Sequence, residues 1–226
     1  MTETPQISPV IADPFGEESY RFMKSLLSER VGKKRFEHSV NVAKVARRLA
    51  KTYGADPDKA RLAGILHDWD KGLTNEELRD RAEELNLEID PMVVSDMPWL
   101  LHGPTAAVAL KREYPQFGDD IFQAIARHTS GAADMSPLDC IIYIADIIEP
   151  GRSFGNMEGI ERLRGLVGEL PLDELYFQAF KYTLEFLIST DRVLYPATIE
   201  TWNILMRTHG HIVKKGINIW DMPAAD

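Results

Sequence analysis

The sequence is short of cysteine, of long apolar runs and of positive charge, and each shortage closes off a class of protein. Cys140 is the only cysteine in 226 residues, so no disulfide can form within the chain. A chain with so few thiols suits the reducing cytoplasm. Cys140 lies inside the run LDCIIYIADII, which reads it as a small core hydrophobe rather than a nucleophile. No apolar stretch approaches the roughly 20 residues of a membrane-spanning helix. The opening residues, MTETPQISPVIADPFGEE, lack the basic start and apolar segment of a secretion signal. Acidic side chains outnumber basic ones 35 to 26, a formal charge of −9. Such a surface is not drawn to nucleic acid or anionic membrane. A polyanionic substrate therefore needs a local site where metal, arginine or helix N-termini reverse the sign.

What remains is ordinary for a globular protein: 44% apolar and 27% charged residues. The length fits one domain with a sizeable core. Residues 1–16 carry Pro5, Pro9 and Pro14 with few large apolar side chains and read as a flexible leader. Residues 17–211 read as the folded domain and 212–226 as a tail.

The domain reads as helices with short breaks, and the fold class is all-α. In KRFEHSVNVAKVARRLAKTYG, Val42, Val45, Ala46 and Leu49 follow His38 at offsets of 4, 7, 8 and 11, one helical face that Gly54 ends. Asp56 and Pro57 open the next helix as N-cap and first-turn proline. On it the small residues Ala60, Ala63 and Gly64 share a face with His67 and would let a neighbouring backbone come close. Asn75 is a cap for the polar helix EELRDRAEELN, and His102 precedes a helix start at Gly103-Pro104. Ile121, Ala124 and Ile125 align with His128. PLDCIIYIADIIEPG is apolar nearly all round; its length and its Ser136-Pro137 start favour a buried helix over a strand. No hairpin or alternating pattern argues for a sheet.

Six ionisable residues interrupt these apolar faces: His38, His67, Asp68, His102, His128 and Asp146. Each alone has a plain reading, a hydrogen-bonded boundary histidine or an acid after a helix end. Asp146 resists it, because Ile144-Ala145 and Ile147-Ile148 flank it and an unpaired buried carboxylate costs several kcal/mol. Imidazoles and carboxylates are the ligands that iron, manganese, nickel and zinc accept, so one or two metal ions would satisfy most of the set together.

The order H…HD…H…H…D, with His67-Asp68 as the HD pair, resembles the HD-domain metal-dependent phosphohydrolases. The segments RFEHSVNVAKVARRLAKTYGAD, KARLAGILHDWDK, LLHGPTAA, ARHTSG and YIADIIEPGRSF follow in sequence those of its YqeK-type branch, over about residues 18–208. The resemblance implies an HD-type helical bundle that hydrolyses dinucleoside tetraphosphates symmetrically, diadenosine tetraphosphate giving two ADP. It implies a metal, typically iron, on His38, His67, Asp68 and Asp146, with manganese, nickel or zinc as substitutes and room for a second ion. It also implies nucleotide contacts from Asp68, Trp69, Asp70 and Lys71, from His102, His128 and Thr129, from Asp146 and Arg152, and from Asp191, Arg192, Tyr195 and Pro196. The expected partners are a dinucleoside polyphosphate or other nucleotide, with no nucleic acid or membrane, and a homodimer is compatible with the sequence.

The chain departs from the family near its end. Relatives commonly read HPxTxxARN where this sequence reads YPATIETWN, with Tyr195 for histidine and Trp202 for arginine. In the implied mechanism Asp68 holds the metal and orients water, while His102 and His128 donate to the phosphate chain or act as acid. Arg152 and Lys71 add positive charge, and Trp69 forms a wall of the nucleotide pocket. Met97, Pro98 and Trp99 read as packing, and His209 and His211 as surface residues. The alternatives are another HD phosphohydrolase, acting on nucleotides or guanosine alarmones, and a nucleotide sensor without catalysis.

Overall fold

A computed structural model of the chain describes residues 13–152 and 157–209. Most of the expected leader, Ser153-Phe154, His211 and the 212–226 tail lie outside the described residues. The helices are α1 (Glu17–Arg30), α2 (Lys33–Tyr53), α3 (Pro57–Leu66), α4 (Asn75–Glu84), α5 (Pro91–Asp96), α6 (His102–Glu113), α7 (Asp119–Arg127), α8 (Pro137–Ile148), α9 (Met157–Gly165), α10 (Leu172–Ser189) and α11 (Pro196–His209). Short 3-10 turns cover Pro98–Leu101 and Pro115–Phe117. No strand occurs among the described residues, and no described helix is long and apolar enough to cross a membrane.

Local chemistry accounts for the helix ends. Gly54 stops α2 in the left-handed conformation at φ 72°, and the Asp56 side chain accepts the backbone N–H of Asp58 and Lys59 to start α3. Ser136 and Asp139 form a reciprocal capping box on α8. The cap of α4 is Thr74 rather than Asn75, because Thr74 and Glu77 satisfy each other's backbone donors.

Helix α8 is the axis of the bundle. It touches α2, α3, α7, α9 and α10, and it buries every residue from Leu138 to Ile148 except Asp146. Two glycines set the closest approaches. A Cβ on Gly64 would sit 2.8 Å from the Ala43 Cα, so α3 lies directly on α2. A Cβ on Gly103 would meet the carbonyl oxygens of Ile125 and Ala126 at 3.0 and 3.1 Å, so α6 lies on the end of α7. These contacts bring His67 toward α2 and His102 toward His128. Within the described part of the expected leader, Phe15 packs against the core, with the Lys59 ammonium 5.0 Å from its ring centroid.

Candidate active site

The six residues that broke the apolar faces converge. His38 projects from the second turn of α2, His67 and Asp68 follow the last residue of α3, His102 begins α6, His128 follows α7, and Asp146 lies near the end of α8. Nε2 of His38 lies 3.0 Å from Asp146 Oδ1 and 3.7 Å from Asp68 Oδ2. Nε2 of His67 lies 3.3 Å from Asp68 Oδ2 and 3.9 Å from Asp146 Oδ1. The His38 and His67 rings are 5.3 Å apart, centroid to centroid.

The outer nitrogens fix which way the inner ones face. His67 donates from Nδ1 to the Gly64 carbonyl at 2.8 Å, and His38 donates from Nδ1 to Glu149 Oε1 at 3.1 Å. In its neutral form each ring turns the Nε2 lone pair inward, toward carboxylate oxygens. Both Nε2 atoms are buried and neither has a hydrogen-bond partner, despite the short distances. Lone pairs and carboxylates crowded together without hydrogen bonds call for a cation, and two imidazoles with two carboxylates suit a divalent transition metal. The Glu149–His38 pair has the form of the carboxylate that orients a metal-binding histidine.

A second group adjoins the first. His102 donates from Nδ1 to the Trp99 carbonyl at 2.5 Å and His128 from Nδ1 to the Ile125 carbonyl at 2.7 Å, which leaves two Nε2 acceptors 3.0 Å apart. Asp68 Oδ1 lies 3.3 Å from the first and 3.6 Å from the second. Asp68 thus faces both groups, one oxygen to each. The Thr129 hydroxyl is within 3.2 Å of both Nε2 atoms and can donate to one of them.

Electrostatics follow from this packing. Burial pushes His128 down to about 4, so it is neutral at pH 7. With Nδ1 committed to a carbonyl, neutral His128 presents an acceptor and not an acidic proton; the expected role as donor or acid gives way to that of a ligand or acceptor. Burial opposes the charged form of His38, but Asp146 and Glu149 outweigh it and raise the ring to about 9 when no metal is there. Burial also opposes ionisation of Asp68 and Asp146. The surrounding histidines overcome it at Asp68 and Arg152 overcomes it at Asp146, holding both well below the usual carboxylate range. Arg152 reaches Asp146 Oδ1 at 2.9 Å, and Arg35, one turn before His38 on α2, reaches Asp68 Oδ2 at 2.7 Å.

Other expected site residues are placed differently. Asp70 is fully buried and points away from the cluster, its two oxygens held by Arg30 and Arg81 at 2.6 Å each. It braces the turn after Asp68 and has no surface to offer a nucleotide. Trp69 belongs to the main core, with the Arg30 guanidinium 5.0 Å from its ring centroid. Lys71 stays near the cluster, its Nζ 3.4 Å from His102 Nδ1, and burial pulls its ammonium below the ordinary lysine range. His102 does not precede a free helix start: the 3-10 turn Pro98–Leu101 runs straight into α6.

Two cavities open on the cluster and share Arg152. One, about 660 Å³, reaches His38 and Glu149 past the charged and polar side chains of Lys33, Lys34, Arg35, Glu37 and Asn41. The other, about 230 Å³, reaches His128, Thr129 and Asp146 between Trp99, Phe180, Leu184 and Leu187. Arg192 and Tyr195 line this second cavity, whereas Asp191 and Pro196 are exposed beside it. Trp99, expected only to pack, stands 43% exposed at its mouth. Trp202 stacks on Phe177 of α10, 5.8 Å between centroids, so the departure from arginine there falls on helix packing and not on the cluster. His209 stacks on Phe177 and approaches Glu174 at 3.3 Å instead of standing free.

Sequence reasoning missed Glu149, Arg35 and Trp99. The signals were modest: an acid closing the run IADIIE, a base three residues before His38, and an aromatic three before His102.

Residues 35–151 match the HD domain family. The chain is 35% identical over 181 residues to the symmetrical bis(5′-nucleosyl)-tetraphosphatase of Halalkalibacterium halodurans, covering 80% of this chain and 94% of that one. It is 33% identical over 190 residues to the protein of the same name in Bacillus subtilis, covering 84% and 97%. Among solved structures it resembles a predicted HD superfamily hydrolase involved in NAD metabolism from Clostridium acetobutylicum, with a TM-score of 0.76, 35% identity and coverage of 84% and 97%.

Proposed function

This chain belongs to the HD domain family and shares most of its length with symmetrical bis(5′-nucleosyl)-tetraphosphatases, and from that premise we propose that it hydrolyses dinucleoside tetraphosphates at their centre, diadenosine tetraphosphate yielding two ADP. The observation that carries the reading is the pair of buried, unpartnered Nε2 atoms of His38 and His67 facing Asp68 and Asp146. His38, His67, Asp68 and Asp146 would hold a divalent metal, which we assign as iron from the family resemblance. Asp68 with His102 and His128 would hold a second. Bound there, such a metal lowers the pKa of water and neutralises charge on a phosphate oxygen.

The chain's own groups then do the following. Glu149 fixes the His38 ring, and the Gly64 carbonyl fixes His67. The ionised, buried Asp68 orients water. Arg152, on the wall common to both cavities, grips phosphate through its guanidinium fork, and Lys71 and the Thr129 hydroxyl add donors. The bond between the bridging oxygen and one central phosphorus breaks. Water supplies the replacing oxygen, the bridging oxygen leaves with the other half, and both halves emerge as diphosphates. The aromatic and aliphatic cavity takes a nucleobase by stacking and burial.

A panel of diadenosine tetraphosphate, nucleoside triphosphates and guanosine alarmones, with products resolved by chromatography, tests this. The proposal expects ADP as the sole product from the tetraphosphate. ATP plus AMP, or turnover of the alarmones alone, would refute it.

A further inference from the structure

A cut at the centre of a dinucleoside tetraphosphate leaves a nucleoside at the far end of each half, so both ends need a place within reach of one cluster. The aromatic and aliphatic cavity beside His128 takes one of them. A third cavity, about 260 Å³, adjoins it and matches its scale of about 230 Å³. The two share Leu100, Thr129, Ser130 and Tyr195 as a common wall. Thr129 links that wall to the chemistry, its hydroxyl 2.9 Å from His128 Nε2 and 3.2 Å from His102 Nε2. Both cavities therefore begin at one hydroxyl beside the cluster.

The third cavity is built by a part of the fold that the cluster does not otherwise use. Helices α4 and α5 and the turn Pro98–Leu101 pack around a small apolar core of their own, formed by Leu78, Ala82, Val93 and Leu101. Tyr195, from the loop between α10 and α11, packs on that core, and the Asp90 carboxylate accepts its hydroxyl. Asp90 is itself fixed, because it caps α5 by accepting the Met92 N–H at 2.8 Å. Leu87, Ile89, Val93, Pro104 and Ala126 give the cavity an aliphatic lining. The charged side chains on its wall, among the described residues, are Glu88 and Asp90. Carboxylates repel phosphate but accept hydrogen bonds from ribose hydroxyls and from the amino edge of a base. Aliphatic surface with acceptors at its rim suits a nucleoside whose phosphates stay behind at Thr129 and the cluster.

We propose that this cavity receives the second nucleoside, so that the substrate lies folded over Thr129 with Tyr195 between its two ends. The inference rests on the tetraphosphatase reading, and its test separates the two.

The test compares diadenosine tetraphosphate with adenosine 5′-tetraphosphate, which carries the same four phosphates but one nucleoside. The same cut turns the latter and water into ADP and pyrophosphate. Ala126→Phe fills the third cavity from α7. Its kcat/KM on diadenosine tetraphosphate is expected to fall at least about tenfold, because one nucleoside loses its burial. On adenosine 5′-tetraphosphate it falls at most about twofold, because the single nucleoside keeps the cavity beside His128 and loses only one of two orientations. Ile89→Trp fills the same space from the segment before α5 and must reproduce that split, which guards against local damage at the end of α7. Unchanged turnover of diadenosine tetraphosphate in both variants would place the second nucleoside elsewhere and overturn the inference. An equal loss on the two substrates in both variants overturns it as well. If the natural chain forms ADP from neither substrate, the tetraphosphatase reading itself fails, and this inference falls with it.

Discussion

Glu149 accepts a hydrogen bond from Nδ1 of His38 at 3.1 Å, across 111 residues of sequence, while its other oxygen accepts the Gly151 N–H at 2.6 Å. One carboxylate therefore aims the His38 ring inward and shapes the turn that carries Arg152. Replacing Glu149 with Ala frees the ring to rotate and releases that turn. Metal affinity is expected to fall about 10- to 100-fold with the helical circular dichroism unchanged. Metal titration of the variant checks it; unchanged affinity would mean that Glu149 plays no part in orienting the ligand.

Asp70 is expected to act on stability more than on nucleotide binding. Asp70→Ala leaves the Arg30 and Arg81 guanidiniums without their shared partner. Breaking such a pair costs about 3 kcal/mol, the low end of the range because both arginines keep some solvent contact. For a chain of this size that lowers Tm by about 6–12 °C. Thermal unfolding measures it, and an unchanged Tm with weakened substrate binding would return Asp70 to the nucleotide.

Cys140 is buried in α8, and burial with Asp139 nearby pushes its thiol up to about 12. The unfolded thiol ionises near 8.5. Since the folded value is the higher one, the group contributes stability that is complete below the unfolded value and is lost as pH climbs from there toward 12. At pH 8 the native protein is expected to resist alkylation by iodoacetamide and to take one adduct in denaturant. Rapid labelling of the native state would contradict its burial.

The helices and the convergence of the histidines and aspartates were legible because their signals are local or categorical. Asp56-Pro57 caps a helix wherever it occurs before an apolar face, and histidines on apolar faces ask for partners whatever the fold. The bracing was not legible, because it depends on which distant helix arrives. Nothing near Asp70 announces Arg30, 40 residues away, and proximity to Asp68 suggested a shared role that the turn after α3 undoes by pointing the two carboxylates apart. Trp99 was misplaced for a related reason: an aromatic beside Met97 and Pro98 has the composition of packing, and only the arrival of α10 makes its ring the edge of a cavity. The Thr74 cap was readable from Thr-x-x-Glu, and the adjacent Asn75 obscured it.

The most direct test of the account is metal content measured together with turnover of diadenosine tetraphosphate, in protein purified without added metal, for the natural chain and for Asp68→Ala. The account predicts bound divalent metal and ADP as sole product from the first, and loss of both from a still-helical Asp68→Ala. Full metal occupancy and undiminished ADP production in that variant would contradict it.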